Sequence, residues 1–224
     1  MGNRSIAIDG PVGAGKSTLA KMAGEHFGII YVDTGALYRC VALHALRNSV
    51  SFDDEAAIES LLPEINIEMT YDNNGVQRMI LNGGDVTDDI RLPEISMGAS
   101  AVSAIPAVRA FLLDTQQNMA KKYDVIMDGR DIGTVVLPNA GLKIFLHAAP
   151  EIRAKRRYDE LIQKNIEITY EEVLSDLNTR DKNDSEREIA PLKPAADAVM
   201  LDTSDLNLEE SIEALCKLIA GRFA

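Results

Sequence analysis

Five short runs of apolar and β-branched residues punctuate the chain: Ser5 to Asp9, Ile29 to Asp33, Val125 to Asp128, Leu142 to His147 and Ala198 to Asp202. Each is continuous rather than alternating, as expected of a strand buried on both faces. Helical patterns follow the first four runs and the last. This rhythm predicts an α/β fold: a five-stranded parallel sheet flanked by helices. Ligands of such sheets sit beyond the carboxyl ends of the strands. Four of the five runs end in Asp, so Asp9, Asp33 and Asp128 are all expected at the rim of a site.

Residues 64–95 break the rhythm. Ile65, Ile67, Met69 and Tyr71 alternate with other residues, and Asn73-Asn74-Gly75 supplies a turn. A second run, Val76 to Leu81, ends at Asn82-Gly83-Gly84. The segment reads as a hairpin or small antiparallel sheet inserted into the α/β core. Further on, a basic helix is expected from Pro150 to Asn165, with the proline at its start. Thr169 and Glu172 form a capping-box signature for a second helix, which runs into the charged stretch Arg180 to Glu188. A last amphipathic helix covers roughly Leu208 to Phe223.

Composition narrows the class. The chain has 224 residues, 46% hydrophobic and 26% charged, as in an ordinary globular protein. No apolar run approaches the ~20 residues that span a bilayer. The first strand starts within a few residues of Met1, leaving no room for a signal peptide. Met1-Gly2 resembles a myristoylation start, but Ile6 stands where that motif needs Ser or Thr. Cys40 and Cys216 lie far apart without His or Cys at metal spacing, so two reduced, half-buried thiols are expected. The net charge of −12 argues against a general nucleic-acid binder. An acidic chain that handles anions needs a local positive cluster.

The first βα junction carries the chemistry. Gly10-Pro11-Val12-Gly13-Ala14-Gly15-Lys16-Ser17 matches G-x-x-x-x-G-K-[ST], with a strand before it and a helix from Thr18 after it. Glycines let successive backbone N–H groups turn inward onto phosphate oxygens. The following helix points its positive end at the same anion. Lys16 is placed for the β- and γ-phosphates, and the Ser17 hydroxyl for Mg2+. This motif establishes nucleotide binding and leaves open whether the protein is a switch, a motor or a kinase.

Three features bear on that choice. Asp33-Thr34-Gly35-Ala36-Leu37-Tyr38-Arg39 sets a guanidinium after the second strand, suited to forked recognition of phosphate. A helix N-cap with a surface arginine is the plainer alternative. Asp128-Gly129-Arg130-Asp131 follows the third strand, with Asp128 placed to hold Mg2+ directly or through its water shell. A bare turn is the alternative there. Arg153, Arg156 and Arg157 share one helix face, and Arg180, Asp184 and Arg187 share another if the helix persists. Three cations on one face repel unless an anion, or acids such as Asp159 and Glu160, neutralise them.

These segments resemble the bacterial cytidylate kinases over nearly the whole chain. The resemblance rests on Ile8 to Thr18, Asp33 to Arg39, Asp128 to Val136, Lys143 to Leu146, Arg180-Asp181 and Ala190 to Leu192, together with the inserted β segment. It implies a P-loop NTPase fold with an inserted small β segment and a helical lid. The core would comprise 1–62, 96–150 and 190–224, the inserted segment 63–95, and the lid 151–189. It implies ATP at Gly10 to Thr18, and CMP or dCMP at Thr34, Arg39, Ser100, Arg109, Arg130, Asp131, Asp184 and Arg187. Lys16, Arg153, Arg157 and Arg180 would serve the transferred phosphoryl group, with Mg2+ at Ser17 and Asp128. The implied enzyme is a cytoplasmic phosphotransferase of pyrimidine metabolism, expected as a monomer that uses neither nucleic acid nor membrane. A kinase of UMP or AMP, or an ATP- or GTP-dependent switch, are the alternatives; no N-K-x-D base-reading motif supports the switch.

Overall fold

The computed structural model describes residues 3–73 and 75–223. The Met1-Gly2 start and Asn74 of the expected turn therefore lie outside the described residues. The chain divides into two compact units, one of Met1–Tyr31 and Lys122–Ala224, the other of Val32–Lys121.

The first unit begins with β1 (Ser5–Asp9) and α1 (Lys16–Phe27), and takes in the start of β2 (Ile30–Asp33). The second unit holds α2 (Thr34–Arg47), α3 (Glu55–Leu61), β3 (Ile67–Tyr71), β4 (Gln77–Leu81), β5 (Gly84–Asp85), α4 (Pro93–Val102) and α5 (Pro106–Lys122). The chain returns to the first unit with β6 (Val125–Gly129), β7 (Leu142–His147), α6 (Pro150–Gln163), α7 (Tyr170–Glu186), β8 (Val199–Asp202) and α8 (Leu208–Phe223).

The parallel sheet has the order β2-β6-β1-β7-β8. Ser5 pairs with Val125 and Asp9 with Gly129 on one side of β1, and Ile6 with Leu142 on the other. As the central strand, β1 is covered on both faces; Ile6, Ala7 and Ile8 are fully buried. Leu19, Ala20 and Ala23 of α1 and Leu215 and Ile219 of α8 build the same core. The five predicted runs are the five strands, with shifts of one residue at some ends.

One expected helix is absent. After β6 the chain makes only a π-helical turn, Ile132–Val136, before β7. The Asp9 carboxylate accepts the N–H groups of Ile132 and Gly133, each at 2.7 Å, and so holds this short crossover beneath β1. These are the first two N–H groups of the turn, which no helix satisfies internally, and Pro138 stops the turn from lengthening.

Helices α6 and α7 form a hairpin around Ala154, Leu161, Val173 and Leu177. The capping box is present: Glu172 donates its backbone N–H to the Thr169 hydroxyl at 3.2 Å, and its carboxylate accepts the Thr169 N–H at 2.8 Å. Helix α7 stops at Glu186, and Arg187 is extended with ψ 141°. The face expected to carry Arg180, Asp184 and Arg187 is therefore broken before its last member.

In the second unit, β3, β4 and β5 form an antiparallel sheet, with Ile67 opposite Leu81 and Tyr71 opposite Gln77. Burial alternates along β4, as the sequence pattern requires. Asn82 and Gly83 both have positive φ, 50° and 82°, the backbone of a tight two-residue hairpin turn. Leu37, Val41, Ile58, Met79, Ile90, Ile95, Val108 and Leu112 form the core of this unit. Cys40 lies in it, fully buried rather than half-buried, and burial pushes its thiol up to about 12. Cys216, on α8, is a half-buried free thiol. No single helix among the described residues is long and apolar enough to cross a membrane.

The α7 capping box generates a simple expectation. Thr169→Ala should destabilise the protein by about 1 kcal/mol in urea unfolding, with the slope of the transition unchanged.

Candidate active site

The phosphate loop is shaped by close approach. A side chain at Gly10 would place its Cβ 2.0 Å from the Leu146 carbonyl oxygen, so only glycine fits. Gly15 precedes α1 with φ 88°, and its carbonyl accepts the first helical bond from Leu19 N–H at 3.0 Å. Lys16 opens the helix and sends its Nζ back across the loop to the Pro11 carbonyl, 2.7 Å away. Burial, and next the neighbouring Arg130 guanidinium, push the Lys16 amine down to about 7, while Asp128, Asp184 and Asp9 pull it upward.

Asp128 is buried at the end of β6. It accepts from the Ser17 hydroxyl at 2.7 Å and from the Tyr31 hydroxyl at 3.0 Å. A hydroxyl and a carboxylate in contact beside the phosphate-loop lysine are the donor set that Mg2+ uses alongside nucleotide phosphates. The residues fit that ion. Among the described residues no group of three or more His, Cys, Asp or Glu could hold a metal alone.

The two residues after β6 are cross-tied to the end of α7. Arg130 Nε donates to Asp184 at 2.7 Å, and Arg187 pairs with Asp131 at 3.2 Å. Four of the residues assigned to CMP are thus already organised as two ion pairs.

The arginines of α6 diverge rather than cluster. Arg153 is nearly fully buried, and its three nitrogens donate to the carbonyls of Ala148 (2.8 Å) and Val12 (2.7 Å) and to the Asp181 carboxylate (2.6 Å). Asp181 in turn accepts the Val12 N–H at 3.3 Å. Arg153 therefore braces the phosphate loop against α7, where direct phosphoryl contact was expected. Arg156 donates to the Thr203 and Leu206 carbonyls at 2.7 and 3.1 Å. Arg157 is exposed and pairs with Glu160 at 2.8 Å. The expected positive cluster lies elsewhere. Arg180 is held below its ordinary value first by burial and then, among charges, by Arg157 and Arg130. Lys16, Arg130, Arg157 and Arg180 are thus linked as one field of positive charge.

The second unit carries its own polar constellation. Asp33 caps α2, accepting the Ala36 N–H at 3.1 Å, and binds Arg39 through its other oxygen at 2.6 Å. Asp33 is the N-cap of the plainer alternative, but Arg39 is folded back and half-buried where that alternative had a surface arginine. A Cβ at Gly35 would lie 3.0 Å from the Arg39 guanidinium, so glycine leaves room for that fold-back. Buried Arg39 Nε has no hydrogen-bond acceptor among the described residues, a donor suited to an anion. Thr34 is buried at the first turn of α2.

Helices α4 and α5 meet at 101°. Ser100 lies on α4 and Arg109 on α5, and Ser103 joins them: its hydroxyl donates to the Ser100 carbonyl at 2.8 Å, and its carbonyl accepts from Arg109 at 3.1 Å. The Arg109 guanidinium lies 5.7 Å from the centroid of the Tyr38 ring.

A family model described as cytidylate kinase matches residues 6–221. The chain belongs to the cytidylate kinase family. The cytidylate kinase of Clostridium botulinum (strain Langeland / NCTC 10281 / Type F) is 46% identical over 219 residues, covering 98% of this chain and 99% of that protein. The cytidylate kinase of Thermosipho melanesiensis is 49% identical over 214 residues, covering 96% of this chain and 95% of that one. Among solved structures, an uncharacterized protein from Eubacterium ventriosum superposes with a TM-score of 0.56 at 14% identity, covering 98% of this chain and 99% of that one. That likeness shows a shared fold.

Against this family background, three residues stand out that sequence reasoning left without a role. Asp9 was legible only as a strand-end acid; nothing signalled that it would clamp the β6–β7 crossover. Tyr31 sits in an apolar run, and Ser103 follows a helix without any motif.

Asp9 generates a pH prediction. Burial raises its carboxyl to about 6, against the two backbone donors that lower it. The folded state therefore holds this proton longer than the unfolded chain. The stabilisation is fully present below about pH 4 and is lost as pH rises through about 6. Compared with Asp9→Asn, the wild type should lose on the order of 3 kcal/mol between pH 4 and 7, followed by urea unfolding at each pH.

Proposed function

We propose that this member of the cytidylate kinase family transfers the γ-phosphoryl group of ATP to CMP or dCMP, giving ADP and CDP or dCDP. The observation that carries this reading is the cytidylate kinase family match over residues 6–221, with Lys16 folded over the phosphate loop and Ser17 in contact with Asp128. Transfer between two anions demands concentrated positive charge, alignment and exclusion of water.

In this reading Gly10 to Thr18 hold the ATP phosphates, with Lys16 along the β- and γ-oxygens. Ser17 and Asp128 hold Mg2+, directly or through water; the ion would neutralise charge on the transferring group. Arg157 and Arg180 face that group, and Arg153 fixes the loop that presents it. Thr34 and Arg39 receive the acceptor phosphate together with Arg130. Ser100, Arg109 and Asp131 read cytosine, whose amino group needs an acceptor and whose ring nitrogen and carbonyl need donors. Asp184 and Arg187 contribute from the lid, assigned to 151–189, beside an inserted segment at 63–95 and a core formed by the rest. Closure of such a lid excludes water. Transfer is direct in this reading, with the Ser17–Asp128 contact given to Mg2+ and not to a phosphoenzyme. We take the acting form to be a monomer and place the activity in the cytoplasm, without nucleic acid or membrane.

An ADP-release assay with CMP, dCMP, UMP and AMP tests the substrate. CMP and dCMP should give the highest kcat/KM; a preference for AMP or UMP would overturn the assignment. Arg39→Ala and Arg130→Ala should each raise the KM for CMP by about tenfold or more, the loss of one charge-assisted contact, with ATP affinity near the wild-type value. Equal losses for both substrates would contradict their placement.

A further inference from the structure

The inserted sheet reaches the acceptor cradle through one side chain. Gln77 is the first residue of β4 and is nine-tenths buried. Its carbonyl oxygen accepts the Asp33 N–H at 2.9 Å. Its amide nitrogen donates to the Asp33 carbonyl at 3.4 Å and to the Met79 sulfur at 3.1 Å. The side-chain amide thus acts as a surrogate peptide for both polar groups of Asp33, the last residue of β2. An amide is well suited to this, since it offers donor and acceptor in one plane.

Asp33 is the hub of the cradle. One carboxylate oxygen caps α2 and the other holds Arg39. The direction of that carboxylate is set by the Asp33 backbone, and Gln77 fixes the backbone. We propose that Gln77 is a positioning residue for the acceptor: it sets the Arg39 guanidinium through Asp33 without touching substrate. The inserted sheet would then serve to lock the acceptor-phosphate arginine in place. This inference rests on the assignment of Arg39 to the CMP phosphate.

A purely structural amide would cost stability when lost and leave substrate preference alone. Gln77→Met keeps the volume and removes both bonds to Asp33. It should raise the KM for CMP by about tenfold, as expected for a buried donor left unpaired, and move the KM for ATP by less than about twofold. Amide exchange across residues 33–37 should quicken, while residues 10–18 exchange as before. The wild type offers a test that needs no variant: saturating CMP should slow exchange across residues 33–37 and 77–79 together. The proposal falls if CMP slows the first segment alone, if Gln77→Met leaves the KM for CMP unchanged, or if both KM values rise equally. Arg39→Ala in the same assay separates the two failures. If it raises the KM for CMP and Gln77→Met does not, the role of Gln77 is wrong and the acceptor assignment stands. If neither raises it, both are wrong.

Discussion

Positive charges brought together for two anionic substrates repel one another, and the structure depends on containing that repulsion. Lys16 feels it directly, since Arg130 is the largest charge lowering its proton affinity. The chain's answer is to surround the cations with buried acids. Asp128, Asp184 and Asp9 all draw Lys16 toward its charged form. Asp184 also binds Arg130, and Asp131 binds Arg187. The acidic excess of the chain is therefore part of how the cationic site is held. Exposed ion pairs elsewhere, such as Lys217 with Glu213, contribute little by comparison, because water screens them.

The same economy governs the phosphate loop. A loop that presents its N–H groups to phosphate cannot spend them on itself, so its outer carbonyls have to be held by something else. Arg153 does this from beneath, tying Val12 to Ala148 and to Asp181 of α7. Losing Arg153 would leave the Val12 and Ala148 carbonyls and the Asp181 carboxylate without their donor at once. Val12 also packs against the α6–α7 hairpin. The loop and the hairpin assigned as the lid therefore share a foundation, one that the spacing of arginines on α6 did not reveal.

The fold was legible wherever a segment stands alone. Five continuous apolar runs became five strands, although β8 lies exposed where burial on both faces was expected, and Thr169 with Glu172 marked the start of α7, because local capping leaves its mark in neighbouring residues. The helix expected after β6 was only a turn: Pro138 stops it, and Asp9, more than a hundred residues earlier, holds its first two N–H groups. The arginines of α6 misled for a related reason. Helical periodicity places Cβ atoms on one face, but long guanidinium stems travel to whatever acceptors tertiary structure provides. Arg153, Arg156 and Arg157 begin as neighbours and end on three different sets of partners. Phosphate-loop residues were found by motif, since their chemistry is local. Ser103 and Gln77 were not, since their function exists only after folding.

The strand-end acids show how one residue type yields three different functions. Asp9 accepts two backbone N–H groups, so it becomes a clamp whose buried carboxyl holds its proton to about pH 6. Asp128 faces two hydroxyls and lies beside Lys16, so it is fit to share a metal. Asp33 starts a helix and lies against an arginine, so it becomes a cap and an orienting group at once. Each carboxylate arrives at the rim by the same geometry, the carboxyl end of a parallel strand. What differs is the donor it meets there. Each acid is therefore specified by the partner delivered to it: a crossover for Asp9, the phosphate-loop helix for Asp128, and for Asp33 an inserted sheet whose Gln77 fixes its backbone.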